Sequence, residues 1–193
     1  MKYIYLIYLA IPLLIIYVCL NHSKTHKFVK STIDNRIYKV KISKPEIELL
    51  NANVLAKVNA KMNILFSHIH DNDTYLKHKG IRRLLKNKDV RLEQKVDKYG
   101  HVAYSINKGE IIGLCLQNKK DLNTTIFVLL HELAHVMSTK YAHDEEFWSN
   151  FSFLIKIAME AKIYNHKNYS KEPVTYCGHR ITENPYDILP TTT

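Results

Sequence analysis

Apolar positions recur along the chain in several distinct patterns. The first is an unbroken apolar and aromatic run, Tyr3 to Leu20, without a single charge. It sits at the short end of the roughly 17–25 residues that span a bilayer. Its early tyrosines, Tyr3, Tyr5 and Tyr8, suit an interfacial belt. No small-residue pair precedes Asn21 to mark a signal-peptide cut. The run therefore reads as an uncleaved transmembrane anchor over residues 1–20. Lys24, Lys27, Lys30, Arg36 and Lys39 follow it and only Lys2 precedes it. The positive-inside rule then places the C-terminal part of a single-pass membrane protein on the cytosolic side. Residues 21–35 are polar and basic and read as a juxtamembrane linker, which leaves 36–193 as the folded domain.

Within that domain the pattern alternates between the periods of strand and helix. Arg36 to Ile42 places Ile37, Tyr38, Val40 and Ile42 among basic residues, the mark of a short strand with one solvated face. Ser43-Lys44-Pro45-Glu46 is a helix start. From there Ile47, Leu50, Val54, Leu55, Val58, Met62 and Leu65 recur at three- and four-residue steps, predicting an amphipathic helix over about 46–68. His68, His70, Asp71 and Asp73 match no standard metal spacing and read as a turn with capping residues for a second helix, about 74–87. That helix turns Leu76, Ile81, Leu84 and Leu85 inward. Residues 87–99 are highly charged and read as a surface connection. His101 to Ile106 and Ile111 to Leu116 flank Asn107-Lys108-Gly109-Glu110, which predicts a β-hairpin. Asp121-Leu122-Asn123 then caps a helix that is apolar at nearly every position from Ile126 to Met137. The fold class is α+β.

Composition narrows the chemistry. The chain has 193 residues, 46% hydrophobic, with five glycines and five prolines, enough for a packed core. The glycines (80, 100, 109, 113 and 178) never form a phosphate-binding loop, so a nucleotide-binding function of the P-loop or dinucleotide type is excluded. A formal charge of +10 suits contact with anionic lipid or nucleic acid, but most of it is dispersed lysine, the composition of a solvated surface. Cys19 lies in the apolar run, so Cys115 and Cys177 are the only intradomain pair. With no C-x-x-C, they suit a reduced compartment better than a disulfide scaffold.

The stretch that carries chemistry is His131-Glu132-Leu133-Ala134-His135. Helix positions i and i+4 share a face, so both imidazoles can reach one metal ion. Glu132 lies about 100° around the axis, where it can serve a metal-activated water as general base. Two histidines and a glutamate on a helix apolar all round need a reason to be buried. A zinc ion satisfies all three. Catalytic zinc takes a third protein ligand, and His143, Asp144, Glu145 and Glu146 follow a break at about 139–141. Imidazole makes His143 the best match, with Glu146 the alternative, while Asp144 reads as a helix cap or an orienting partner. Phe147, Trp148, Phe151, Phe153, Leu154 and Ile157 form the buried side of the helix that follows. The second hairpin strand, 111–117, is the expected edge for pairing with an extended substrate. In the tail, Tyr176 and His179 are the polar groups that could face the site.

H-E-L-A-H, a short loop and then H-D-x-x-F-W resemble the zinc-binding core of WLM-type and SprT-type metalloproteases, over about 121–163. The resemblance implies a zincin-like core: an active-site helix, a second helix and a small antiparallel sheet, here behind the anchor. It implies Zn2+ held by His131, His135 and His143, with Glu132 as general base, and a protein or peptide substrate. The gap between His135 and His143 is longer than that pattern usually has. The competing reading is a catalytically silent zincin-like module that binds a partner through its basic surface. A chance match of the motif would leave no third ligand near His131 and His135.

Overall fold

The structure, a computed structural model, describes residues 25–86, 89–95, 102–116 and 121–188. Strand β1 (His26–Lys30) runs antiparallel to β2 (Ile37–Lys41), with Phe28 opposite Lys39. Alternation in β2 is as the pattern requires: Tyr38 and Val40 are buried, while Ile37 and Lys41 face solvent. The turn between the strands uses Asn35 at φ 60, a left-handed position that asparagine tolerates. Part of the stretch expected to be a linker is thus an edge strand of the sheet.

Helix α1 (Pro45–His70) starts with proline in its first turn, and Glu48 rather than Glu46 closes its N-terminus by accepting from the Ser43 N–H at 2.8 Å. Leu55, Val58, Met62 and Leu65 are buried on one stripe. The expected second helix is broken in two, α2 (Asp73–Leu76) and α3 (Lys79–Leu84). Asn72 caps the first, accepting from Thr74 and Tyr75, and the His78 Nδ1 accepts from Gly80 at the second. At Gly80 a β-carbon would lie 2.9 Å from both Asn150 and Met137, so glycine lets α3 press against the later helices.

β3 (Arg91–Gln94) falls in the stretch that charge marked as a surface connection. It is instead the middle strand of a five-stranded sheet ordered β1-β2-β3-β5-β4, where β4 is Ala103–Ile106 and β5 is Ile111–Leu114. Its charges are buried by pairing rather than excluded. Glu93 lies 3.1 Å from the Lys39 ammonium and accepts from the Tyr104 hydroxyl. Gln94 accepts from the Lys41 N–H and the Asn51 amide, both at 2.9 Å. The sheet is mixed, not antiparallel: β3 is parallel to β2 and to β5, while β4 and β5 form the predicted antiparallel hairpin. β5 is therefore interior, and the edge strand of the hairpin among the described residues is β4.

Asp121 caps α4 (Leu122–Met137) by accepting from Thr124, and Asp144 caps α5 (Glu145–Glu160) by accepting from Phe147. Helices α1, α4 and α5 enclose the core with the inward side chains of the sheet; Leu129, Leu130, Leu133, Phe147 and Leu154 are wholly inaccessible. A second, two-stranded sheet, β6 (Val174–Tyr176) and β7 (His179–Ile181), precedes the short α6 (Pro185–Ile188). Cys177 and Gly178 form its turn, both with positive φ.

Two expectations are corrected. No helix among the described residues is long and apolar enough to cross a membrane, so a single-pass membrane protein with a cytosolic C-terminal part is not supported. The longest, α1, carries Glu46, Glu48, Lys57 and Lys61, and the run 3–20 lies outside the described residues. Cys115 and Cys177 are also not two free thiols. They form a disulfide closing a separation of 62 residues, and the Tyr176 hydroxyl donates to the Cys115 carbonyl beside it. The bridge fastens the β6–β7 hairpin to the end of β5. A loop of that length confines the unfolded chain by about 4 kcal/mol. Changing both cysteines to serine should lower the unfolding free energy by a few kcal/mol and bring the urea midpoint down accordingly.

Candidate metal centre

α4 is buried on almost every side, and its one break in apolar character is the site. His131 and His135 lie one turn apart and meet edge to face, with ring centroids 4.9 Å apart. His143 reaches them from the segment between α4 and α5. Its Nε2 lies 3.2 Å from the His131 Nε2 and 3.0 Å from the His135 Nε2. Among the described residues this is the one group of histidine, cysteine, aspartate or glutamate that could hold a metal ion. The arrangement suits one. Zn–N bonds of 2.0–2.1 Å at tetrahedral angles separate their nitrogens by about 3.3 Å. A neutral Nε2 carries either a proton or a lone pair, so three such nitrogens cannot all bond to one another, whereas one cation would satisfy three lone pairs.

A wall of aromatic rings sets the histidines. Phe147 lies 4.9 Å from the His131 ring, 4.4 Å from His135 and 4.5 Å from His143. Phe147 is one helical turn from Phe151, which is 5.3 Å from His131. The long gap between His135 and His143 is taken up by a fastened loop. Glu146, the alternative ligand, does not face the metal position. It accepts from the Arg83 guanidinium at 2.7 Å and from both the N–H and the hydroxyl of Thr139. Those bonds hold its carboxyl well below the usual range, at about 2. Arg83 also donates to the Met137 carbonyl at the end of α4. On the other side Lys108 donates to the carbonyls of Ser138 and Thr139, and its ammonium lies 3.9 Å from the Tyr141 ring centroid. Arg83 and Lys108 were not legible as site residues: each acts through the loop, and neither lies near the motif in sequence.

Glu132 is 7% exposed, and burial pushes its carboxyl up to about 7. Burial, with the neighbouring imidazoles second, lowers His131 to about 3. Burial, then His143 and Lys108, lowers His135 to about 4. Both are thus neutral, the form that ligates metal. A cleft of about 590 Å³ opens over these side chains. β4 forms one wall with Val102, Ala103 and Ser105, and the tail forms another with His179, Ile181 and Pro185. The Ser105 Oγ is buried without a hydrogen-bond partner. Of the two tail residues singled out in the sequence, His179 lines the cleft, whereas Tyr176 is fully buried and bonded to Cys115. Asp144 caps α5, and the His68–Asp73 cluster is helix termini, as expected.

The depressed histidines bind fewer protons folded than unfolded between their folded values and the ordinary 6.5, so their contribution to stability falls as pH drops through that window. Glu132, raised from 4.5, acts in the opposite sense between 4.5 and 7, but as one group against two. Metal-free protein should therefore gain unfolding free energy as pH rises from 4.5 to 6.5, and His131→Ala should flatten the slope. Denaturant titrations in chelator across that range measure it.

Comparison with known proteins agrees with this geometry. The model of the WLM domain, a zincin-like family associated with metalloprotease-like function, matches residues 103–187, which include β4, β5, the metal-site helix and the tail. "Uncharacterized protein R325" of Acanthamoeba polyphaga mimivirus is 31% identical over 184 residues, covering 91% of this chain and 92% of its own. "Uncharacterized protein 136R" of Invertebrate iridescent virus 6 is 31% identical over 128 residues, covering 60% and 70%. No solved structure gives a significant match. The chain thus belongs to one family with that mimivirus protein, aligned over nearly the whole length of both, and carries a WLM domain at residues 103–187, where the histidine cleft lies.

Proposed function

We propose that the protein is a zinc-dependent peptidase in which His131, His135 and His143 hold the metal and Glu132 is the general base. The observation that carries this reading is the convergence of the His143 Nε2 on those of His131 and His135, beside a buried carboxyl in the same cleft. A zinc ion held by these three imidazoles would supply Lewis acidity toward a water and the scissile carbonyl, and its charge would favour the ionised form of Glu132. Glu132 accepts the proton of the attacking water and returns it to the leaving amine, a shuttle that needs an affinity near neutrality. Among the described residues β4 is a sheet edge along the cleft, open to pairing with an extended peptide. Phe147 and the Arg83–Glu146–Thr139 contacts keep His143 in place, so that the triad is set before metal arrives.

Among the described residues the lining of the cleft includes no lysine or arginine. A polyanion would therefore meet the protein elsewhere, and peptide-bond hydrolysis suits the cleft better than a silent nucleic-acid module does.

Purified protein should contain about one zinc per chain, measured by mass spectrometry of the metal, and His131→Ala should lose it. Glu132→Gln should keep the zinc and lose chelator-sensitive cleavage of a denatured protein substrate by at least about a hundredfold. Metal-free wild-type protein after zinc reconstitution would overturn the reading. A Glu132→Gln variant as active as wild type would remove Glu132 as the base.

A further inference from the structure

The cleft is not uniform around the triad. Toward the N-terminal end of α4, Phe127 and Val128 lie one turn before His131. The Phe127 ring stands 5.0 Å from that of Phe151, and Phe151 stands 5.3 Å from His131. Both rings line the cleft beside His131 and are otherwise packed into the core. Ile181 and Pro185 of the tail close it from the opposite side. Phe127 and Phe151 are held rigidly, with 5% and 1% of their surface accessible, so the pocket is bounded by side chains that cannot swing away.

Charge gives the same selection. On a chain of net charge +10, the described residues lining this cleft include Glu132 and Glu183 and no lysine or arginine, and Lys108 approaches it over the Tyr141 ring. An acidic side chain seated against Phe127, Val128, Ile181 and Pro185 would lose water and meet no cationic side chain among them. A large apolar side chain would exchange water for phenylalanine, isoleucine and proline. The wall that supplies Ile181 and Pro185 is a two-stranded hairpin and its continuation. Such a hairpin is marginal alone and is fastened here by the Cys115–Cys177 bridge and by the buried Tyr176.

We propose that this pocket is a specificity site: it accepts a large apolar side chain next to the bond presented to the triad and rejects an acidic one, with Ile181 as the residue that sets the preference. The proposal rests on the peptidase reading for its substrate class. Its test does not depend on turnover.

Trp148 is the single tryptophan of the chain and lines the cleft, so its fluorescence reports occupancy directly. Zinc-loaded Glu132→Gln protein is titrated with three peptides of glycine, serine and alanine, identical except for one central residue: phenylalanine, leucine or aspartate. The phenylalanine and leucine peptides should bind at least about tenfold more tightly than the aspartate peptide. Adding Ile181→Asp should erase that difference, with zinc content and the circular dichroism spectrum unchanged. Ile181→Ala serves as the milder variant if the aspartate unfolds the hairpin, and it should weaken the phenylalanine peptide more than the aspartate one. Equal binding of all three peptides, or binding of none, overturns the pocket assignment. Selective binding combined with a wild-type protein that cleaves no peptide would leave the pocket standing and remove the peptidase reading. Cleavage without preference would do the reverse.

Discussion

The packing of α4 between the sheet and α5 is the constraint from which the site follows. A helix apolar on nearly every side can only be stable inside the protein, and this one takes its two histidines and its glutamate in with it. Desolvation then strips His131 of its proton affinity and raises that of Glu132. The same contact presses Phe147 against all three imidazoles. The burial that makes the helix stable is thus what keeps the ligands neutral and the carboxyl protonatable. A metal ion relieves the cost by giving three converging nitrogens a common partner.

The third histidine of the cluster depends on a different kind of interaction. His143 is exposed and lies outside both helices. Its position is fixed by charge: Glu146 binds Arg83 and Thr139, and Lys108 spans the Ser138 and Thr139 carbonyls. The loop is therefore held from α3 on one side and from the β4–β5 turn on the other. That turn has Asn107 and Lys108 in left-handed conformations, which aims the lysine at the end of α4. Glu146 holds the loop, and its bonds to Thr139 and then Arg83 keep its carboxyl well below the usual range.

Much of this was legible in the residues. The motif helix, its Asp121 cap, the β4–β5 hairpin, the Asp144 cap and the approach of His143 to His131 and His135 all follow from local patterns, because each depends on neighbours within one or two turns. Where interactions are long-range the pattern misleads. β3 looks like a surface loop because its Glu93 and Gln94 are polar; both are buried by Lys39, Tyr104, Lys41 and Asn51, partners about 11 to 54 residues away. The substrate edge is assigned to β5 if only the hairpin is considered, and moves to β4 once β3 occupies the other side of β5. The disulfide and the tail wall join residues 62 apart, and nothing periodic marks them. The charged surface connection and the reduced cysteines fail for one reason: composition describes what a residue prefers alone, and pairing changes the preference.

The account stands or falls on whether three imidazoles share one ion. X-ray absorption at the zinc edge of the reconstituted protein measures this directly. It should show nitrogen or oxygen scatterers at about 2.0 Å, with the multiple-scattering signature of three imidazoles in the wild type and of two in His143→Ala. A sulfur shell, or a spectrum unchanged by His143→Ala, would contradict it.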